Sequence, residues 1–344
     1  MKRSGLAISV TVLLLLTPVV QAQSVSDVFK RVKDSVVVIG TTQTDLPSVP
    51  GGEATSIGGL GSGVLIDRLG VVLTAAHVVQ VAEEIQVEFR SGEVIPARVQ
   101  GSVPGADLAV LSLERAPIEA AEARLGDSDE VEVGDQVFVV GAPLGISHTL
   151  TVGHVSARRV TENLFGGLMS VEMFQTDAAI NVGNSGGPMF DMDGEVVGIV
   201  SHMITQSGSY EGLGFAMTSN LARELLVQQR SVWSGFEGYT LTGELAAAFN
   251  LPQAAGVLVQ RVAKGSPASR MGLRAGAIKA EIAGEPIVLG GDVILEVEGV
   301  RVSDPDATKR IQAIVSDLSP GSQIRLTVLR QGQRVELVAE PIPR

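Results

Sequence analysis

The chain has 344 residues, a formal charge of -12 and no cysteine. An acidic balance of that size disfavours nonspecific binding to nucleic acid or to anionic membrane surfaces, which recruit basic patches, and the missing cysteines exclude disulfides, thiol catalysis and thiolate metal sites. Histidine is scarce and no HExxH pattern occurs, so no metal or other cofactor is expected; the length has room for about two domains at ~100–200 residues each.

Lys2, Arg3, the apolar stretch 6–16 and the small residues around Val20-Gln21-Ala22 make the pattern of a secretory signal peptide cleaved after Ala22. That predicts an exported, periplasmic chain, or a membrane-associated one if the segment is retained. Pro18 interrupts the uncharged run, which makes a spanning helix the weaker reading. A short helix is predicted over 25–33. Beyond it come the brief apolar runs Val36-Val37-Val38-Ile39, Val64-Leu65-Ile66, Val71-Val72-Leu73 and Val137-Phe138-Val139-Val140, and the alternating run Ile85-Gln86-Val87-Glu88-Phe89. Short strands separated by Gly, Pro and Asp indicate an all-β barrel or sandwich. Residues 45–59 read as exposed loop, and Gly59-Leu60-Gly61-Ser62-Gly63 leads into an apolar strand rather than a helix, so it reads as a tight turn before that strand and not as a phosphate cradle.

A helical segment over 219–229 closes this unit, and glycines mark a break near 228–238. A second, α+β unit follows. Its predicted elements are a strand at Val257-Leu258-Val259, a short helix opened by Ser266-Pro267-Ala268, a strand at Asp292-Val293-Ile294-Leu295, a helix over 306–318 and an alternating strand over 324–329. Residues 277–289 are an extra piece with no assigned role. The expected divisions are 1–22, 23–230 and 235–344.

Gly183-Asn184-Ser185-Gly186-Gly187-Pro188 sets a serine hydroxyl among backbone N–H groups on a glycine-rich turn. That suits acyl transfer: Ser185 attacks a carbonyl carbon, and the N–H groups of Gly183 and Ser185 hold the oxyanion that forms. The same residues satisfy G-x-S-x-G, the nucleophile elbow of α/β-hydrolases, but that fold needs an acid and then a histidine after its serine, and only His202 follows. His77, Asp107 and Ser185 stand in the chymotrypsin order. In those roles His77 accepts the serine proton and returns it to the leaving amine, while Asp107 fixes the His77 tautomer. Singly, each has an ordinary alternative: a packed histidine, a turn aspartate, a turn serine. Order and flanking residues together favour the triad.

With those residues in place the chain resembles the HtrA (Deg) family of exported serine proteases. The resemblance is carried by Gly61-Ser62-Gly63-Val64, Thr74-Ala75-Ala76-His77-Val78-Val79, Ala106-Asp107-Leu108-Ala109-Val110, Gln175-Thr176-Asp177-Ala178-Ala179-Ile180-Asn181 and Gly212-Leu213-Gly214-Phe215-Ala216. In the second unit it is carried by Gly265-Ser266-Pro267-Ala268, Gly272-Leu273-Arg274-Ala275-Gly276 and Gly290-Gly291-Asp292-Val293-Ile294-Leu295. It implies an all-β, chymotrypsin-like double β-barrel with its active site in the cleft, followed by a smaller α+β PDZ domain. The implied activity is ATP-independent endoproteolysis of misfolded or damaged protein, modulated by the PDZ domain; a catalytically idle chaperone or scaffold of the same fold is the alternative.

The resemblance also implies a specificity pocket drawing on Ile180 and on Val200-Ser201-His202. Ala179 leaves its base without an acid, so cleavage is expected after Val, Ala or similar residues of unfolded substrates. His148 and His154 stand in no catalytic motif. C-terminal peptides are expected to add as a strand beside Phe236-Glu237-Gly238-Tyr239. Glu237 replaces the hydrophobic residue usual there and would repel a carboxylate unless it faces solvent. Segment 25–33, with Phe29, resembles the region through which family protomers meet, implying a homotrimer or a multiple of trimers; packing on its own barrel is the other reading.

Overall fold

The computed structural model describes residues 23–45, 55–161, 169–205, 207, 210–229, 231–282, 285–319 and 322–338. The expected signal peptide lies outside them.

Strands β1 (Val36–Asp45), β2 (Thr55–Asp67), β3 (Val71–Thr74), β4 (Glu84–Glu88), β5 (Val94–Val103) and β6 (Leu108–Leu113) close into a barrel in the order β1-β2-β3-β6-β5-β4. The alternation predicted for Ile85 and Val87 holds: both point inward and their neighbours are exposed. A second barrel, β10-β11-β12-β9-β8-β7, is built from β7 (Gln136–Gly141), β8 (Thr149–Thr161), β9 (Val171–Thr176), β10 (Pro188–Phe190), β11 (Val196–Met203) and β12 (Gly214–Thr218). Closure leaves neither sheet an open edge for foreign strands.

The run Val137-Phe138-Val139-Val140 is apolar throughout because both faces of β7 are buried. Successive strand residues point to opposite faces, so Val137 and Val139 fill the interior of the second barrel. Phe138 and Val140 join Val64, Leu73 and Leu108 of the first barrel in a cluster between the two. The Phe138 and Phe190 rings stack there with centroids 5.3 Å apart. That apolar seam fixes the cleft above it.

Helix α1 (Val25–Val32) is capped by Ser24 and buries Val28 and Val32 in the same cluster, with Val25 and Phe29 partly covered. Arg31 Nη2 donates to the Asp193 carbonyl at 3.1 Å. The helix therefore packs on its own barrels. Helix α2 (Ala76–Val79) follows β3, and α3 (Ser219–Ala222) continues as a π-helical turn over Arg223–Gln228 that buries Leu225 and Leu226.

The second unit is a sheet in the order β13-β14-β17-β19-β20, formed by β13 (Phe236–Thr242), β14 (Ala255–Val262), β17 (Val293–Val297), β19 (Arg325–Arg330) and β20 (Gln333–Val338), with β18 (Val300–Arg301) on β17. Helices α4 (Gly243–Ala248), α5 (Pro267–Met271) and α6 (Ala307–Asp317) complete it. The extra piece of sequence is a hairpin, β15 (Ile278–Ile282) and β16 (Glu285–Leu289). Its Ile287 is 3% exposed and packs with Leu241, Leu258, Val293 and Leu295, so the insert covers a sheet face that would otherwise be wet. Asp292, in the Gly290-Gly291-Asp292 motif, is buried and gripped at 2.7 Å by both Nε and Nη2 of Arg330.

Candidate active site

His77 and Asp107 both come from the first barrel. His77 sits on α2 immediately after β3, and Asp107 ends a tight turn over Pro104–Ala106 that leads into β6. Asp107 adopts the left-handed conformation, φ 51 and ψ 39, which aspartate tolerates better than most residues. The turn aims its carboxylate at α2. The His77 backbone N–H donates to Asp107 Oδ1 at 3.0 Å, and His77 Nδ1 lies 2.9 Å from each carboxylate oxygen. Asp107 is 2% exposed while the His77 side chain is 47% exposed. A carboxylate at Nδ1 holds the proton there and leaves Nε2 as the acceptor. Burial pulls the His77 pKa down, but the hydrogen bond and charge of Asp107 outweigh it and raise it above its ordinary value.

Ser185 and its turn come from the second barrel. The Asn184 N–H donates to the Asn181 carbonyl at 3.0 Å, closing a turn in which Gly183 takes φ +102; a side chain at that position would be strained. Among the described residues no protein acceptor engages the N–H of Gly183 or of Ser185. Ser62, on β2 of the first barrel, locks this turn from across the cleft. Its Oγ donates to the Gly183 carbonyl at 2.7 Å and accepts from the Ala142 N–H at 2.9 Å, and its own N–H donates to the Ser185 carbonyl at 2.8 Å. By sequence Ser62 reads as part of a tight turn before a strand, whereas it lies within β2 itself. The available signal was a small polar residue between two glycines at the mouth of an apolar strand.

Ser185 Oγ donates to the Ser201 carbonyl at 3.1 Å, and it forms no hydrogen bond with His77. Ile180 and Val200 are both buried in the core of the second barrel. A Cβ built on Gly214 would stand 2.5 Å from Ile180 Cδ1, so Ile180 fills the space beside that glycine. Ser201 Oγ donates to Asp107 Oδ2, and His202 stacks on Phe215 with its Nδ1 3.0 Å from Ser201 Oγ. His148 and His154 are engaged elsewhere, His148 Nε2 with the Val36 carbonyl at 3.2 Å and the His154 backbone N–H with Asp177 Oδ1 at 2.6 Å.

Phe236, Glu237, Gly238 and Tyr239 open β13, the edge strand of the second sheet. Phe236 lines an apolar cavity of about 240 Å³ together with Met271, Ile311, Val315 and Leu326. Glu237 lies opposite Arg261 in the β13–β14 ladder, its Oε2 3.7 Å from Arg261 Nη1. The acidic charge expected to repel a carboxylate thus has an opposing charge beside it. Gln80, which ends α2, joins the two units. Its Nε2 donates to the Phe236 carbonyl at 2.8 Å and to Ser234 Oγ at 3.2 Å, its Oε1 accepts from Ser102 Oγ at 2.6 Å, and its carbonyl accepts from Trp233 Nε1 at 3.0 Å. It lies three positions after His77, and nothing local in the sequence marks it.

Two closed six-stranded barrels meeting over Ser, His and Asp side chains, with an α+β unit appended, define the class of chymotrypsin-fold serine proteases with an accessory domain. Residues 61–199 match the family model of the trypsin-like peptidase domain, and residues 212–340 that of the PDZ domain. A probable periplasmic serine endoprotease, DegP-like, from Halomonas elongata is 35% identical over 84% of this chain and 58% of its own length. Among solved structures, a variant of the HtrA-type protease AlgW with a decapeptide aligns over 93% of this chain and 98% of its own, at 32% identity and a TM-score of 0.57. AlgW with a tripeptide aligns over the same shares at 34% identity and a TM-score of 0.53. The chain belongs to the HtrA family of DegP-like, trypsin-type serine proteases with a C-terminal PDZ domain. It spans 58% of the length of the DegP-like relative it matches.

Proposed function

We propose that this chain is an exported serine endopeptidase that cleaves misfolded or damaged proteins without ATP, by acyl transfer through Ser185, His77 and Asp107. The observation that carries the reading is the His77–Asp107 pair, with Nδ1 2.9 Å from both carboxylate oxygens, joined through Ser201 to a serine on a turn whose Gly183 and Ser185 N–H groups have no protein acceptor among the described residues. Ser185 Oγ swings from the Ser201 carbonyl to His77 Nε2 and attacks the scissile carbonyl carbon as its proton passes to Nε2. The oxyanion is held by the two N–H groups. Collapse breaks the C–N bond, and the imidazolium gives its proton to the leaving amine. Water, deprotonated by the same histidine, then splits the acyl-enzyme.

Ile180 packed against Gly214 supports a shallow apolar pocket and cleavage after Val, Ala or similar residues, since a charged side chain would be buried there unpaired. The edge strand β13 beside α6 supports capture of C-terminal peptides by strand addition, as do the peptides bound in the AlgW structures. Periplasmic residence follows the name of the DegP-like relative. A homotrimer, or a multiple of it, follows the family resemblance of the α1 region, where Phe29 stays partly exposed.

The test is labelling of the purified protein by a peptidyl phosphonate and cleavage of casein without nucleotide, with S185A as control. Labelling and cleavage that vanish in S185A are expected. A wild type that does neither at any temperature or activating-peptide concentration would establish the idle scaffold instead.

A further inference from the structure

The reaction above leaves one set of buried contacts unused. Ser201 Oγ donates to Asp107 Oδ2, and His202 Nδ1 lies 3.0 Å from the same Oγ. A hydroxyl has one proton to give. The carboxylate is the stronger acceptor, so the Ser201 proton lies toward Asp107, and Oγ can meet His202 Nδ1 only by accepting. His202 is therefore the tautomer with hydrogen on Nδ1.

The backbone brings these side chains together. The ladder between β11 and β12 runs Val200 opposite Ala216 and then His202 opposite Phe215, so Ser201 is the extra residue of a bulge. Bulges re-aim side chains and occur next to active sites. Here the bulge lets two consecutive residues touch, and it sets the His202 ring on Phe215 with centroids 5.0 Å apart and planes 12° from parallel. Among the described residues, Asp107 and His77 are charged groups that act on His202. Burial lowers its pKa below the ordinary value, Asp107 works against that and His77 adds to it, whereas His77 itself is raised. His202 thus titrates below His77 and is mostly the neutral donor at the His77 midpoint.

We propose that His202 is a positioning residue: by donating to Ser201 Oγ it holds the Ser201 proton on Asp107 and so limits the negative charge that Asp107 presents to His77. The proposal rests on the reading of His77 as the base. A donor on the hydroxyl oxygen polarises the O–H and strengthens its next bond, by roughly 10–30%. Without that donor Asp107 keeps more charge for the imidazolium, and His77 holds its proton to higher pH.

Two variants separate the donor from the ring. H202F keeps the ring and its stack but has no donor; H202N keeps a donor nitrogen at the δ position and loses the stack. In each, His77 is titrated directly by NMR of its ring nitrogens, and kcat/KM is followed against pH. H202F is expected to move the His77 midpoint and the acid limb up together by about 0.1–0.7 pH unit, the fraction of a charge-assisted bond at stake. H202N is expected to leave both near wild type, and H202F in an S201A background to add no further shift. An unmoved midpoint in H202F, an equal shift in H202N, or a full shift without Ser201 would each overturn the proposal. Because the NMR titration needs no turnover, a protein that neither cleaves nor labels, yet shows the shift, would sink the proteolytic reading and leave the hydrogen-bond chain standing.

Discussion

Ser185 donates its hydroxyl hydrogen to the Ser201 carbonyl, 3.1 Å away, while His77 keeps its own bonds to Asp107. The proposed nucleophile and the proposed base thus each bond a different partner. Exchanging that bond for one to His77 Nε2 involves about 1 kcal/mol, the net worth of an ordinary hydrogen bond, so a ligand that favours the joined state has a corresponding range to act over. Labelling by a phosphonate is expected to be slow in the resting protein and to speed up about five-fold or more when an activating peptide is added. Equal labelling rates with and without every peptide tried would contradict this.

Ser62 gives a prediction about the oxyanion turn. S62A removes the donor to the Gly183 carbonyl and the acceptor of the Ala142 N–H, without touching any reacting group. Loss of an oxyanion donor costs ~10²–10³ in turnover; loosening the turn that aims one is expected to lower kcat ~10–100-fold and leave KM nearly unchanged. Steady-state kinetics on a short peptide substrate measure this, and a change confined to KM would refute it.

The pH dependence follows from His77. Only its neutral form accepts a proton, and Asp107 raises its pKa against the effect of burial. Activity should therefore fall as pH drops, with the acid limb above the ordinary histidine value of ~6.5. D107N removes the cause of the rise, so the limb should move down while kcat falls by ~10⁴. Stability runs the other way. The contribution of protonated His77 is fully present below the unfolded pKa and is lost as pH rises through the folded one. Profiles of kcat/KM and of unfolding free energy against pH, taken on the same preparation, test both signs.

Glu237 and Arg261 face each other across a strand pair, 3.7 Å apart and both partly exposed. Such surface pairs contribute about 0–1 kcal/mol, and their charges nearly cancel for a carboxylate arriving from solution. E237L is expected to change affinity for a hydrophobic C-terminal peptide by less than about five-fold, and R261Q to weaken it. Fluorescence polarisation with free-acid and amidated peptides reads out both. A large gain in E237L would mean that the glutamate does obstruct the site.

The legible part of the sequence was chemistry carried by short stretches and by chain order. His77, Asp107 and Ser185 each stand in a local setting that only a few side chains can fill, and their order excluded a competing fold. Barrel strands were legible as well, because burial on one face or on both writes an alternating or a continuous apolar run. The two faces of Val137-Phe138-Val139-Val140 show why a continuous run belongs to a strand buried twice.

What local pattern could not carry was pairing at long range. Ser62 reaches Gly183 across 121 residues and Gln80 reaches Phe236 across 156, and neither partner constrains the other until both barrels have closed. The neighbour that offsets Glu237 is set by ladder register, and the contact of His202 with Ser201 by a bulge in β11. The sequence by itself determined which groups have the chemistry to react, because that capacity is a property of residue type. The tertiary structure decided how those groups are held, because a hydrogen bond forms only where packing of distant segments brings donor and acceptor within about 3 Å.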